Sequence, residues 1–294
     1  MLNVIKSGPY ALITCPPDWI GKSVEIILRD HLHIPKKMLH QWRMERSVLL
    51  NGEVISWSTK IESSSIMYIP IYAEDLNVLV PLKMKLDILY EDDDIMVVNK
   101  PPFLNTHPIS ENDNHSLINA VTAYIDNNKI KPRHIHRLDK DTSGAILFAK
   151  HAYAGAILDQ ALSQGKIKRT YAALVQGIVK KEQGTINAPI ARDRHTAGKM
   201  RVSTSGKHAV TKYKVLQRFK SKNQSLVACK LETGRTHQIR VHMSSIGHPL
   251  IGDTLYGGTK SASHNRQALH AYKLEFIQPL TGEELSVESE IPFI

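Results

Sequence analysis

The sequence predicts an α+β fold in two parts: a small α+β unit, then a larger unit with helices packed on a mixed, largely antiparallel sheet. An Asn-Gly dipeptide at residues 51–52 joins two short apolar runs, which is a strong hairpin signal. After about residue 86, strand patterns often follow one another without an intervening helix, which argues against a regular βαβ fold. The chain has 294 residues and is 42% hydrophobic, so it can bury a small core and a medium one.

The first predicted unit spans residues 1–78, and residues 79–87 are the expected linker to the second unit, residues 88–294. Two helices come first, because apolar residues recur at helical spacing and a proline opens the second one. The second helix leaves four cations on its solvent side: Lys36, Lys37, Arg43 and Arg46. The predicted elements are helices in GKSVEIILRDHL (21–32) and PKKMLHQWRME (35–45), a hairpin in SVLLNGEVI (47–55) and a strand in SIMYIPIYA (65–73).

The second unit is predicted to contain more strands than helices. In its last helix, Ile239, Met243 and Ile246 form the predicted buried stripe, and either Arg235 or Arg240 could turn inward beside it. The elements in chain order are two strands in 86–100, a helix in 115–128, a strand in 144–150, a helix in 151–165, strands in 169–179, 209–219 and 225–234, a helix in 235–247 and a strand in 270–279.

Composition narrows the function classes. The chain has 38 Lys and Arg against 28 Asp and Glu, a formal charge of +10, which favours a polyanionic partner such as nucleic acid. Two distant cysteines, Cys15 and Cys229, cannot form a disulfide framework or a four-cysteine zinc site, so a reducing cytoplasm is expected. We find no apolar run of membrane-span length, no signal-peptide pattern and no phosphate-binding glycine motif, so neither a membrane nor a nucleotide cofactor is expected.

The segment HIHRLDKDTSGAILFAK (134–150) carries the candidate chemistry. Asp141 lies in a DTSG tetrapeptide like that of aspartic peptidases, but those enzymes need two coupled carboxylates and this chain has one copy. The histidines lack metal-ligand spacing, so no metal is expected. Asp139 remains as the candidate functional carboxylate, because it lies on a loop before a buried strand. The alternative is that Asp139 only forms an ion pair at the surface. Tyr171 could complete a site, or be an ordinary half-buried strand residue.

Six segments across residues 93–279 together resemble the RluA/RluD-type RNA pseudouridine synthase family, whose signature is His-Arg-Leu-Asp followed by Thr-Ser-Gly. They are DDIMVVNKPPFLNTHP (93–108), HRLDKDTSGAILFAK (136–150), KRTYAALVQG (168–177), SGKHAVTKYKVL (205–216), LETGRTHQIRVHMSSIGHPLIGDTLYG (231–257) and LHAYKLEFIQP (269–279). The resemblance implies isomerisation of uridine to pseudouridine in structured ribosomal or transfer RNA, without a cofactor.

The resemblance also implies roles for residues. Asp139 is the expected essential carboxylate, Tyr171 stacks on the base, and Arg240 pairs with the carboxylate. The target uridine must leave its helix or loop, and Arg137 is expected to fill the space it leaves. Further RNA contacts are expected from His136, Arg235 and His237.

The N-terminal unit resembles the small RNA-binding domain named after ribosomal protein S-four, so its cations Lys36, Lys37, Arg43 and Arg46 are expected to face phosphates. Two departures stand out: Pro35-Lys36 replaces the usual Ser-Arg or Ser-Lys, and residues 45–47 lack the usual glycine. A monomer is the default expectation. The alternative function is an RNA-binding or RNA-folding protein of the same fold without catalysis.

Overall fold

The computed structural model describes residues 2–75, 79–125, 130–260 and 265–293. Residues 76–78 of the first predicted unit and residues 126–128 of the predicted helix lie outside these ranges. The first part contains one five-stranded sheet, built from β1 (Val4–Ser7), β2 (Tyr10–Thr14), β3 (Leu49–Leu50), β4 (Glu53–Val54) and β5 (Ile66–Ile69). Its spatial order is β1-β2-β5-β3-β4, and all its pairings are antiparallel.

Two helical segments cover this small sheet, as predicted, but they do not come first: β1 and β2, which the sequence analysis did not predict, precede them. Helix α1 (Val24–Ile26) continues as a π-helical turn, Ile27–His31, and α2 (Lys36–Glu45) follows. The apolar residues expected at helical spacing in the first segment are buried, and they are Val24, Ile27, Leu28 and Leu32. In the second segment the buried residue is Trp42. The predicted hairpin is also present, with Asn51 and Gly52 both at positive φ, as a two-residue turn of this kind requires.

Helix α2 is followed by Arg46, its C-cap residue, which has φ 50° and ψ 36°. This left-handed conformation suits glycine, because a Cβ is crowded there, and it lies where the related domains usually carry glycine. The departure seen in the sequence therefore leaves strain in the backbone rather than a different fold.

We expect Arg46→Gly to stabilise the protein by about 0.5–1 kcal/mol, because relief of the left-handed strain exceeds the added freedom of the unfolded chain. The free energy of unfolding in urea measures this effect. His40→Gly, at an exposed position in the middle of α2, is the matched control and should destabilise by about 1 kcal/mol. A loss of stability in Arg46→Gly would show that the left-handed residue is not strained.

The second part contains a ten-stranded sheet and a separate two-stranded one. Its strands are β6 (Ile88–Glu91), β7 (Ile95–Lys100), β8 (Arg133–His134), β9 (Ser143–Ala149), β10 (Lys168–Gln176), β11 (Gln183–Asn187), β12 (Ile190–Arg192), β13 (Met200–Val202), β14 (Val210–Phe219), β15 (Gln224–Leu231), β16 (Leu269–Ile277) and β17 (Glu284–Glu288). The large sheet runs β11-β14-β15-β10-β16-β9-β7-β6, with β8 paired to β9 and β17 to β16, while β12 and β13 pair with each other.

Near the centre of this sheet, β9 meets β16 in the one parallel pairing between strands in the described ranges. Gly144 makes this close approach possible. It has φ +115°, and a Cβ there would lie 2.2 Å from the backbone oxygen of Ala271. The glycine of the Thr-Ser-Gly motif is thus required by packing, and the mixed, largely antiparallel sheet predicted from the sequence is confirmed.

Three helices pack on the large sheet: α3 (Leu117–Tyr124), α4 (Ala152–Ser163) and α5 (Gln238–Ser245). Helix α5 corrects two predictions. It begins at Gln238, so Arg235 precedes the helix instead of occupying its first turn. Ile239 and Met243 are buried as predicted, but Ile246 is 39% exposed because it follows the last helical residue.

The two parts contact each other through buried polar side chains. Tyr72, just after β5, donates a hydrogen bond to Asp94 at 2.9 Å, and His151 pairs with the same carboxylate. The Tyr153 hydroxyl on α4 donates to the Leu32 backbone oxygen in the small part. Among the described residues, no helix is both long and apolar enough to cross a membrane.

Candidate active site

A pocket of about 330 Å³ opens where the loop before β9, the strand β10 and the segment entering α5 converge. This volume is at the lower end of the range for small-ligand sites. The pocket is lined by seven of the predicted site residues: His136, Arg137, Asp139, Tyr171, Arg235, His237 and Arg240.

Asp139 lies on the loop between β8 and β9, and this loop is held rigidly. The Thr106 hydroxyl accepts from the Leu138 N–H and donates to the Leu138 oxygen, at 3.2 and 3.1 Å. The Thr142 N–H donates to the backbone oxygen of Asp139 and closes a turn. The Asp139 side chain is 22% exposed and faces the pocket, so a substrate can reach it.

Lys100, at the end of β7, also stabilises this loop through hydrogen bonds from its side chain. Its side chain is fully buried, and Nζ donates to the backbone oxygens of Pro101, Leu104 and Lys140 at 2.9, 2.7 and 3.0 Å. Burial lowers the pKa of this amine to about 7, and the charge of Asp141 opposes that shift. One lysine thus connects the segment after β7 to the residue following Asp139.

Arg240 projects from α5 toward Asp139, at 3.4 Å between Nη1 and the carboxylate oxygen. Its Nε and Nη2 donate to the two oxygens of Asp253 at 2.6 and 2.9 Å, a bidentate pair that fixes the plane of the guanidinium. Asp253 is 2% exposed. The buried carboxylate of Asp253 therefore orients the arginine, and Nη1 is left to face Asp139.

His237 supplies the second nitrogen facing Asp139, at 3.8 Å. The Met200 N–H donates to the Tyr256 hydroxyl, so the hydroxyl proton is free to point at His237 Nδ1, 2.8 Å away. In the neutral ring the proton is then on Nε2, which faces Asp139. Burial lowers the pKa of His237, with Asp139 opposing the shift, which favours that neutral ring.

Tyr171 is on β10, between β15 and β16 at the centre of the sheet. It is 5% exposed and belongs to the main hydrophobic core. Burial raises its pKa, Arg169 acts in the opposite direction, and Asp139 adds to the rise. The side chain is therefore a neutral phenol whose ring forms one apolar wall of the pocket.

The predicted RNA-contacting residues differ in their surroundings. Arg137 is exposed at the pocket, whereas His136 is buried. Arg235 donates from Nε to the His208 oxygen at 3.0 Å. In the small part, Lys36, Lys37, Arg43 and Arg46 are all exposed, and Arg43 also pairs with Glu25 at 2.8 Å and lies over the Trp57 ring.

Asp253 and Tyr256, which contact Arg240 and His237, were not predicted from the sequence. Both lie in GDTLYG, at the end of the segment that resembles the family's arginine motif, but hydrophobic periodicity gives no reason to place them near Arg240. The geometry of the short helix Thr254–Tyr256 brings them there. Among the described residues, no cluster of three or more His, Cys, Asp or Glu side chains could hold a metal ion.

We expect acid to destabilise the protein between pH 6.5 and about 4. Burial lowers the pKa of His136 to about 3 and those of His134 and His270 to about 4, from 6.5. Below pH 6.5 the unfolded chain therefore binds protons that the native state does not, and the free energy of unfolding falls as pH decreases. The loss at pH 5 is at most about 2 kcal/mol for each histidine.

Urea unfolding at pH 7.5 and 5.0 measures this loss. His195→Gln, at an exposed loop position, is the matched control and should leave the pH dependence unchanged. Equal unfolding free energies at the two pH values would contradict the expectation that these histidines are neutral in the native state.

Comparisons with known proteins identify the family of the chain. Residues 94–245 match the family described as RNA pseudouridylate synthase, and residues 11–67 match the RluD ribosomal pseudouridine synthase N-terminal domain. The chain is 41% identical over 274 residues to the uncharacterized RNA pseudouridine synthase YhcT of Bacillus subtilis (strain 168), covering 92% of this chain and 90% of that protein.

Two further relatives point the same way. Ribosomal large subunit pseudouridine synthase D of Vibrio cholerae is 38% identical over 273 residues, covering 87% of this chain and 83% of that protein. The structure of human RNA Pseudouridylate Synthase Domain Containing 1 is 29% identical and superposes with a TM-score of 0.59, covering 71% of this chain and 85% of that one. The chain therefore belongs to the RNA pseudouridylate synthase family and is an RNA pseudouridine synthase.

Proposed function

We propose that this enzyme isomerises uridine to pseudouridine in ribosomal RNA, with Asp139 as the essential carboxylate. One observation carries the assignment of the residue: Asp139 is the only carboxylate among the described residues lining the pocket, and Arg240 and His237 both face it. The substrate class is taken from relatives named ribosomal large subunit pseudouridine synthase D and from the matching N-terminal domain.

The chemistry needs only what the pocket contains. The bond from the ribose to N1 of uracil breaks, a bond from the ribose to C5 forms, C5 loses a proton and N1 gains one. There is no net oxidation or reduction, so no redox cofactor is required. Asp139 acts as nucleophile on the ribose or base, or as the base that removes a ribose proton, and each route uses its anion.

Each neighbour of Asp139 has a distinct part in the proposal. Arg240 pairs with the carboxylate and stabilises negative charge in a site that the bound RNA closes. Tyr171 stacks on the uracil and is close to where the C5 proton departs. Arg137, exposed at the pocket, fills the space that the flipped uridine leaves in the RNA.

The small unit is proposed to hold flanking RNA. Residues 1–78 form this unit, 79–87 the linker and 88–294 the catalytic unit. Lys36, Lys37, Arg43 and Arg46 are the cations of this unit proposed to contact phosphates, and all four are exposed. We further propose that the enzyme acts as a cytoplasmic monomer, since the pocket is built by one chain and both cysteines are free thiols.

Release of tritium from RNA labelled at uracil C5 tests the proposal, because C5 loses its hydrogen in the reaction. The substrates are a large-subunit ribosomal RNA transcript and, as a comparison, a pool of transfer RNA transcripts. Release from the ribosomal transcript alone is the expected result. Release from transfer RNA alone would overturn the substrate assignment and leave the chemistry intact.

A further inference from the structure

Arg169 is a cation in the pocket to which none of the roles above is assigned. It lies two residues before Tyr171 on β10, and because side chains alternate along a strand, the two share the face that lines the pocket. The guanidinium lies against the backbone of Gly234, where a Cβ would be 3.1 Å from Nη1. The fold thus brings this cation close to the segment that carries His237 and Arg240.

Within the described ranges, Arg169 has no hydrogen-bond acceptor or acidic partner, and its Nε is buried without a partner. A second unpaired donor is close by. His136 Nε2 accepts from the Leu147 N–H at 3.2 Å, so the proton of the neutral ring is on Nδ1, which is also buried and unpaired. Arg169 and His136 both line the pocket, and the charge of Arg169 adds to the effect of burial in lowering the pKa of His136.

The charges around the pocket identify what these donors would bind. Four arginines line it, against the single carboxylate of Asp139. Arg240 is held by Asp253, and Arg235 by the backbone oxygen of His208. Among the described residues, neither Arg137, which is exposed at the pocket, nor Arg169 has a hydrogen-bonding or acidic partner. Unpaired buried donors cost free energy, and a planar guanidinium without a counterion suits a phosphate best.

We propose that Arg169 and His136 form an anion subsite that binds a phosphodiester group of the target nucleotide, next to Asp139. The inference rests on the proposed function, because the ligand is the RNA substrate. The guanidinium supplies the charge and the imidazole a neutral second donor. A phosphate bound there places the ribose of the flipped uridine at Asp139. The subsite thus positions the nucleotide through its backbone and does not need to recognise the base.

The test compares wild type with Arg169→Gln on the ribosomal RNA transcript. We expect the Kd for RNA to rise about tenfold to a hundredfold, and the single-turnover rate at saturating enzyme to fall by a smaller factor. The slope of log K against log salt should become shallower by about 0.7–0.9, the value of one phosphate contact. The charge-matched control is Arg29→Gln, because Arg29 is exposed and already pairs with Asp30, and it should change neither quantity.

Arg169→Lys guards against a loss of folding, since it keeps the charge. It should keep the wild-type salt slope with an intermediate Kd. The inference is wrong if Arg169→Gln binds as wild type does, if it binds weakly with an unchanged salt slope, as a contact to a base carbonyl would, or if only the saturated rate falls. A wild-type enzyme that releases no tritium from ribosomal RNA would instead count against the proposed function.

Discussion

Asp139→Asn should abolish isomerisation, with a loss of at least about 10⁴-fold in the single-turnover rate of tritium release. The amide has nearly the same shape as the carboxylate, but it is neither a nucleophile nor a base. The loop should remain intact, because it is held by backbone contacts with Thr106 and Lys100 rather than by the Asp139 side chain. We therefore expect the Kd for RNA to stay within about threefold of wild type.

Asp141→Asn is the matched control, since it removes a carboxylate two residues away on the same loop. The carboxylate of Asp141 is near the charges of Lys100 and Arg266 instead of lining the pocket. We expect Asp141→Asn to retain most of the activity. If Asp141→Asn lost activity and Asp139→Asn kept it, the essential carboxylate would be misassigned.

Arg240→Met should inactivate the enzyme and also destabilise it by about 3–5 kcal/mol. The substitution leaves Asp253 as a buried carboxylate without its bidentate partner, and an uncompensated buried charge is costly. Urea unfolding and tritium release measure the two effects. Activity is lost because Asp139 no longer has a cation beside it. Stability is lost because the buried carboxylate of Asp253 no longer has a partner.

The double variant Arg240→Met with Asp253→Leu separates these causes. Replacing both members of a buried pair by apolar groups removes the unpaired charge, so most of the stability should return while activity stays absent. Activity that returned together with stability would show that Arg240 only supports the fold. A single variant as stable as wild type would show that the pair is solvated.

The sequence was sufficient for the fold class because hydrophobic periodicity and turn residues act locally. The hairpin at Asn51-Gly52 and the fully buried strand β9 were both readable in this way. The start of α5 could not be predicted in this way. The segment from Arg235 to His237 has a composition compatible with a helix, but His237 adopts φ 57°, so the helix begins only after it. Which pieces of chain become strand neighbours, such as β9 and β16, is set by long-range packing.

The candidate site was readable only in part. Periodicity left Arg235 and Arg240 equivalent, and the family resemblance favoured Arg240, which the structure places at Asp139. Asp253 escaped because its role depends on a contact with Arg240, 13 residues away. Arg169 escaped too, although alternation along β10 puts it on the face of Tyr171. Local patterns show which face a residue occupies, but not which charge it will meet there.

Mapping of pseudouridine in total RNA, by carbodiimide labelling and reverse-transcription stops, tests the central claim most directly. Cells lacking the protein would be compared with cells complemented by wild type or by Asp139→Ala. We predict that one or a few stops in large-subunit ribosomal RNA disappear without the protein and return only with wild type. The same stops restored by Asp139→Ala, or a stop pattern in ribosomal RNA that never changes, would contradict the account.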